Sequence, residues 1–454
     1  MENVKSFAQR VFDGVPGYRG FLESRGASIS RSFGELPLLT KQNYLLEHPV
    51  EELCWNGSLG DCHLIGSSSG FSGSGSVFWP KRPEDESRYL DSLETMLVRN
   101  YGIDKGRTLI MCCMALGTWF GGMAITAALR IIAARGRLPI TVCTPGLNLA
   151  EAVEIYSRFS AGFTRVLWIT NPSSISLISA LIKRKGVAVP PGSCSFPVVG
   201  EYFSETFRES LAERYGHDIN EPFVVWTGYG SADTGDIAVE TAATIRLRKF
   251  LHGHAETGKV LFGSDDTPML LELSPKAHVE IVDGSIVVTK DQLIPLVRYD
   301  TGDQGGLLEK RELERLGPVP DRLLTELPEQ VLFVRGRASN SIIFYGTNLN
   351  VQDINRHFLQ LPREYGYSGL FTVRRVDRGE VSRFDFTVMV EGPGDAALAG
   401  RYHESLLGYL KGRSLEFEAK YSNLTRSIGE DLITVQVEEL SGSTGAIKHR
   451  FIID

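Results

Sequence analysis

Residues 66–80 read GSSSGFSGSGSVFWP, a run of serines and glycines able to hold phosphate. Three chemistries fit such a stretch. Gly70 to Gly75 has the G-x-x-x-x-G spacing of a P-loop, but Ser76 stands where that loop needs the lysine that meets the β- and γ-phosphates. Gly66–Ser68–Gly70 matches the G-x-S-x-G nucleophile elbow. A serine–glycine window matches that pattern by chance, however, and no His–Asp partner is placed for it. The third is a nest, in which backbone N–H groups and hydroxyls wrap a triphosphate. A plain Ser/Gly linker competes with all three, although Phe71 and the following VFWP are unusual in a linker. The loop alone does not decide.

Whatever its chemistry, the loop needs a scaffold, and the chain that follows has the pattern of one. Tyr89, Leu90, Leu93, Met96, Leu97 and Tyr101 share one helical face. From TLIMCC to FVVWTGYG, short apolar runs alternate with amphipathic helices, among them NPSSISLISALIKRKG with Pro172 near its start and Gly186 after its end. Such alternation predicts a mostly parallel sheet with helices on both faces and ligands outside the carboxyl ends of its strands. The uncharged run Thr108–Leu129 is long enough to span a bilayer. Its glycines divide it into strand TLIMCCMAL, turn GTWFGG and helix, which is the reading adopted. Past about residue 258 the character turns to β: GKVLFG, MLLEL, and HVEIVDGSIVVTK with a hairpin turn at Asp283–Gly284. After VRGRASNSIIFYGTNLN the rest reads as a small α+β unit.

The 454 residues call for two or three cores. Net charge is −7, from 48 basic against 55 acidic residues, without a basic stripe, so no nucleic-acid partner is expected. Six cysteines without a C-x-x-C pair fit reduced thiols in a cytoplasmic protein, and the first residues lack the apolar core of a signal peptide. His252 and His254 form an H-x-H with no accompanying cysteine or carboxylate cluster, so they read as non-metal.

Six further segments, in order, make the chain recognisable: LGTWFGGM, VVGEYFSE, GYGSADTGDIAVE, PLVRYDTGDQG, VRGRASNSIIFYGTNLNVQDI and STGAIKHRFIID. With SSSGFSGSGS, VPGYRGFLESRG and LPLLTKQNYL, the sequence resembles the adenylate-forming enzymes nearly end to end, in particular the phenylacetate–coenzyme A ligase branch. The resemblance implies an α/β adenylation domain over 1–336, with mixed or parallel sheets and a β-rich subregion. A small mobile α+β domain is then expected over 337–454. It also implies an AMP-forming ligase that turns an aryl or arylacetic acid and Mg–ATP into acyl-AMP. The acyl group would pass to coenzyme A or a carrier protein's pantetheine thiol, or, as in related branches, to an amine. A homodimer is compatible with it, and no membrane is involved.

Residue by residue, the resemblance makes Ser68, Ser69, Gly70, Ser72, Gly73 and Ser74 the phosphate loop. It puts Gly200, Glu201 and Tyr202 on one side of adenine and Tyr229 stacked on the other, with Gly230 and Ser231 beside them. Asp303 would accept the ribose hydroxyls, and Arg337 would meet ribose and phosphate near the hinge. Asp233 stands for the glutamate that helps hold Mg²⁺. Trp119, Phe120, Gly121, Trp226 and Gly228 fall at the acyl pocket, although Trp119 reads equally well as a core tryptophan. Gly346 and Asn348 fall at the thiol tunnel, where a missing side chain permits close passage.

The sequence departs from the branch at three places. The phosphate-loop lysine is Ser74, which removes a positive charge from a site for a tetra-anion. The hinge aspartate is Ser339, followed by Asn340. A gapless match of the C-terminus puts Ala446 where the adenylation lysine belongs, so that Lys448, two residues on, takes that role only with a reshaped loop. A chain that keeps its binding residues but has lost these charges also fits a weakened protein that holds nucleotide or acyl-adenylate.

Overall fold

The computed structural model describes residues 3–67, 78–262, 267–316, 319–337, 341–344, 347–378, 381–413, 417–418, 421–422, 425, 429–440 and 451–453. A hairpin of β1 (Leu64–Ser67) and β2 (Phe78–Lys81) precedes the helix Pro83–Tyr101, whose buried stripe is Leu90, Leu93, Leu97 and Tyr101. Then β3 (Thr108–Cys112), β4 (Ile140–Cys143), β5 (Arg165–Ile169), β6 (Cys194–Val198) and β7 (Val225–Ser231) run parallel in the order β4-β3-β5-β6-β7. Every residue of β3 and of β6 is buried, as a strand covered on both faces requires. Cys112 and Cys113, adjacent in sequence, enter two different cores, one on each face of the sheet. Among the described residues no helix is long and apolar enough to cross a membrane, and Thr108–Leu129 forms strand, turn and helix.

The sheet then turns antiparallel. β8 (Gly235–Val239), β9 (Met269–Leu273), β10 (Ala277–Val282), β11 (Ser285–Lys290), β12 (Leu296–Glu309) and β13 (Gln330–Arg337) continue it in the order β7-β8-β9-β13-β12-β11-β10. Asp283 and Gly284 both have positive φ, 50° and 80°, and turn the β10–β11 hairpin. GKVLFG, read above as strand, is not one: Ala255–Phe262 is a helix that buries Gly258 and Phe262 while Val260 stays exposed. A short apolar run suits helix or strand equally, and here the period is set by packing of Phe262 against Phe333 of β13.

From Ser341 on, the strands pair only among themselves within the described residues. β14 (Ser341–Phe344) and β15 (Thr347–Asn350) form a ribbon. β16 (Tyr367–Arg378), β17 (Val381–Val390), β18 (Ile433–Glu439) and β19 (Ile452–Ile453) form a sheet of order β18-β17-β16-β19. This smaller unit has its own core around Phe358, Phe371, Phe386, Tyr402 and Leu406. Leu370 and Leu440 leave that core and join Phe203, Phe207 and Leu211 of the large domain. Glu391 reinforces the contact, 2.9 Å from Arg214 and 3.5 Å from Lys183.

Candidate functional site

The carboxyl ends of β6 and β7 lie where the sheet changes from parallel to antiparallel, and β12 brings the segment Tyr299–Asp303 across to them. Strand β6 ends at Val198, and Gly200 then turns with φ +84°, which leads the chain to Glu201 and Tyr202. Tyr202 donates to the Thr267 carbonyl at 3.4 Å and accepts from Arg248 at 3.3 Å.

Strand β7 carries Trp226, Gly228, Tyr229, Gly230 and Ser231. Trp226 is buried in the core, with its indole N–H donating to the Glu240 carbonyl at 2.8 Å. The hydroxyl of Tyr229 donates to Asp303 Oδ2 at 2.9 Å and lies 3.3 Å from Thr301 Oγ1. A bulge follows Tyr229, and at Gly230 a Cβ would come within 2.1 Å of the Gly235 carbonyl, so only glycine closes the turn. Ser231 and Thr234 lock that turn reciprocally: the Ser231 N–H donates to Thr234 Oγ1 and the Thr234 N–H to Ser231 Oγ.

Asp233, at the tip of the turn, is aimed rather than loose. Its Oδ2 accepts from the Tyr299 hydroxyl at 2.6 Å, and its carbonyl accepts from Gln292 Nε2 at 2.6 Å. Tyr299 is held in turn by its neighbour Arg298, which has positive φ (50°) and donates from Nη1 to the carbonyls of Gly34 and Leu36. The conformation is strained for a non-glycine residue. Those two carbonyls, an ion pair to Glu280 at 3.3 Å and the N–H bond to Thr289 fix it in place. Two residues on, Thr301 accepts from the Asp303 N–H and donates to the Ile286 carbonyl, while Gly302 (φ +74°) donates to Asp300 Oδ1. In the antiparallel register Asp303 faces Arg337 of β13.

Sequence reasoning missed the charges beneath these segments. Glu205, Arg208, Glu240 and Arg248 form a network with fully buried side chains: Arg208–Glu240 at 2.5 Å, Arg248–Glu205 at 3.1 Å and Arg208–Glu205 at 3.3 Å. Burial pushes the Glu240 carboxyl up, against the pull of Arg208 and Arg248. The network braces the site directly. Glu240 Oε2 accepts from the Thr227 N–H at 3.0 Å, just before Gly228, and Arg248 donates to the Phe203 carbonyl at 2.7 Å, just after Tyr202. Glu205 and Glu240 close the segments VVGEYFSE and GYGSADTGDIAVE, but Arg208 and Arg248 belong to no motif, and only the fold brings the four together.

Two lysines were missed as well. Lys290, at the end of β11, donates to the Asp236 carbonyl and pairs with its carboxylate at 3.4 Å. Lys81, at the end of β2, is buried, and its ammonium lies 4.8 Å from the centre of the Phe120 ring. Burial pushes it down to about 8, against the carboxylates of Asp85, Asp233 and Asp236.

Of the acyl-pocket candidates, Trp119, Phe120 and Gly121 stand at the start of the helix Phe120–Ala134, where Trp119 is the N-cap residue, while Trp226 and Gly228 are on β7. The Gly-rich segment meets the hairpin there: the Ser67 N–H donates to the Thr118 carbonyl at 2.6 Å. Gly121 and Gly122 open the helix, and a Cβ at Gly122 would come within 1.9 Å of the Ala115 carbonyl. Gly122→Ala should therefore displace the helix and cost roughly 1–3 kcal/mol, read as a lower denaturant midpoint. An unchanged midpoint would mean that the helix start gives way freely. The phosphate-loop residues Ser68, Ser69, Gly70, Ser72, Gly73 and Ser74 lie outside the described residues, as do Ser339, Asn340, Gly346, Ala446 and Lys448. The side chains of Arg337 and Asn348 lie outside them too.

No family model matches the sequence, and no curated protein matches it. Solved structures do. A 2-hydroxyisobutyryl-CoA ligase in the postadenylation state, in complex with 2-HIB-AMP, aligns over 99% of this chain and 88% of its own, with TM-score 0.66 and 14% identity. The chain has the adenylate-forming fold. The same ligase in the thioesterification state, with 2-HIB-AMP and CoA, aligns over the same shares at TM-score 0.53 and 14% identity. The acyl acid amido synthetase AtGH3.15, in complex with 2,4-DB, aligns over 96% of this chain and 85% of its own, at TM-score 0.58 and 12% identity. In this adenylate-forming fold, β6, β7 and β12 converge on Tyr202, Tyr229, Asp233 and Asp303.

Proposed function

We propose that the protein is an AMP-forming ligase that activates a carboxylic acid of aryl or arylacetic kind with Mg–ATP, in the manner of the phenylacetate–coenzyme A ligases. The observation that carries this reading is the Tyr229–Asp303 contact at 2.9 Å, made across two strands far apart in sequence, with Arg337 in register beside it. An aspartate in that place accepts both ribose hydroxyls, while Tyr229 holds it in position and offers its ring to the base. A carboxylate oxygen of the acid attacks the α-phosphorus, the α–β phosphoanhydride bond breaks, and pyrophosphate leaves with the electron pair. The acyl-AMP then gives its acyl group to coenzyme A or a carrier thiol, and AMP departs.

Asp233 suits the part of metal ligand. One of its oxygens is fixed by Tyr299, and Mg²⁺ is characteristically held by one or two carboxylates together with substrate phosphates and water. Bound there, Mg²⁺ would neutralise phosphate charge. Tyr299 and Gln292 fix the carboxylate and carbonyl of Asp233, so the turn that would hold the ion is already set.

A second reading keeps the adenylation and changes the acceptor to an amine. The similarity to an amido synthetase at TM-score 0.58 supports it. Mass spectrometry of reactions with ATP and a panel of carboxylic acids, with coenzyme A or amino acids added, distinguishes the two: a thioester product supports the first and an amide the second. AMP release with neither product would contradict both.

A further inference from the structure

We propose that the Lys81 ammonium binds the terminal phosphates of ATP and the pyrophosphate released from them, in place of the missing loop lysine. The inference rests on the ligase reading above, but its support lies in the side chain's surroundings. Lys81 closes β2, the strand that follows residues 68–77, and it is 5% exposed. Its Nζ donates at the limit of hydrogen-bonding distance to the Ala232 carbonyl (3.5 Å) and to Gln292 Oε1 (3.4 Å), and faces the Phe120 ring. Among the described residues it has no carboxylate at ion-pairing distance. A buried ammonium ordinarily has a close anionic partner, because removing it from water is otherwise costly. Lys290 shows the ordinary arrangement in the same neighbourhood, paired with Asp236.

Lys81 therefore carries a buried charge that no carboxylate at ion-pairing distance neutralises among the described residues. The groups around it indicate what does. The Ala232 carbonyl belongs to the turn that aims Asp233, Phe120 opens the helix beside the hairpin, and β2 follows the serine–glycine segment in sequence. Lys81 thus sits against the turn that carries Asp233, the carboxylate proposed above to hold Mg²⁺ at the phosphates. A triphosphate brings several oxyanion oxygens to such a point, and Ser74 brings no compensating charge. A lysine at the end of β2 supplies the positive charge that Ser74 does not.

Calorimetric titration of the full-length protein with Mg–ATP, inorganic pyrophosphate and AMP tests this. Lys81→Met should weaken ATP and pyrophosphate binding by about ten- to a hundredfold, the worth of a hydrogen bond to a charged group, and leave AMP binding unchanged. The unliganded variant should unfold at no lower denaturant concentration, because methionine fills the slot without a buried charge. Lys81→Gln, also uncharged, carries the same expectation and gives the answer should the methionine variant not fold. Unaltered ATP and pyrophosphate affinities would overturn the proposal. So would AMP affinity lost in the same proportion as ATP affinity, which is the mark of a purely structural residue. A wild-type protein that binds neither ATP nor AMP would overturn the ligase reading itself.

Discussion

Asp303→Ala should lower ATP–pyrophosphate exchange by roughly 10²–10⁴-fold, because it removes two charge-assisted hydrogen bonds to the ribose at about 1.5–3 kcal/mol each. The loss should appear largely as a raised KM for ATP, since the ribose is gripped as firmly before reaction as during it. Stability should change little: Asp303 is half-exposed at the edge of the site, and its main-chain bond to Thr301 survives the substitution. Tyr229→Phe, which deletes only the hydroxyl that positions Asp303, should cost about tenfold or less. Exchange by Asp303→Ala within a few-fold of wild type would remove Asp303 from the ribose.

Arg208→Met is expected to have the largest effect on stability. It leaves Glu205 and Glu240 sharing the single cation Arg248 in a region without solvent, and breaking a buried ion pair in this way costs about 3–5 kcal/mol. The denaturant midpoint should fall accordingly. Adding Glu205→Gln removes the excess charge and should recover a large part of the loss, as a double-mutant cycle would show. The network also fixes the N–H of Thr227 and the carbonyl of Phe203, so adenine-side binding should weaken before the fold is lost. A midpoint unchanged by Arg208→Met would show that the network is already largely neutralised.

The sequence was legible where a residue's local neighbours determine its role. The alternation of TLIMCC, RVLWIT and FVVWTGYG with amphipathic helices pointed to the parallel half of the sheet. Pro172, Gly186 and Asp283–Gly284 marked helix ends and a turn in the places where the backbone uses them. GKVLFG was misread because its period is set by packing against β13 rather than by its own composition. Within the site, the motifs containing Tyr229 and Asp303 could be found in the sequence, but not the hydrogen bond that joins them. The Arg and Tyr of PLVRYDTGD had no assigned part. The fold supplies one: Arg298 is clamped on the carbonyls of Gly34 and Leu36 so that Tyr299 can aim Asp233. Lys81, Arg208 and Arg248 belong to no motif, and their partners lie in segments that only the folded chain brings together.

The proposed function comes down to one chemical step, the reversible formation of an acyl-adenylate from ATP and a carboxylic acid. ATP–pyrophosphate exchange without coenzyme A or amine measures that step alone. With wild-type protein, labelled pyrophosphate and a panel of aryl, arylacetic and short hydroxy acids, the expected result is acid-dependent incorporation of label into ATP that Asp303→Ala lowers by roughly 10²–10⁴-fold at ATP below its KM. ATP binding without exchange on any acid would contradict the ligase account and leave a protein that holds nucleotide without turning it over.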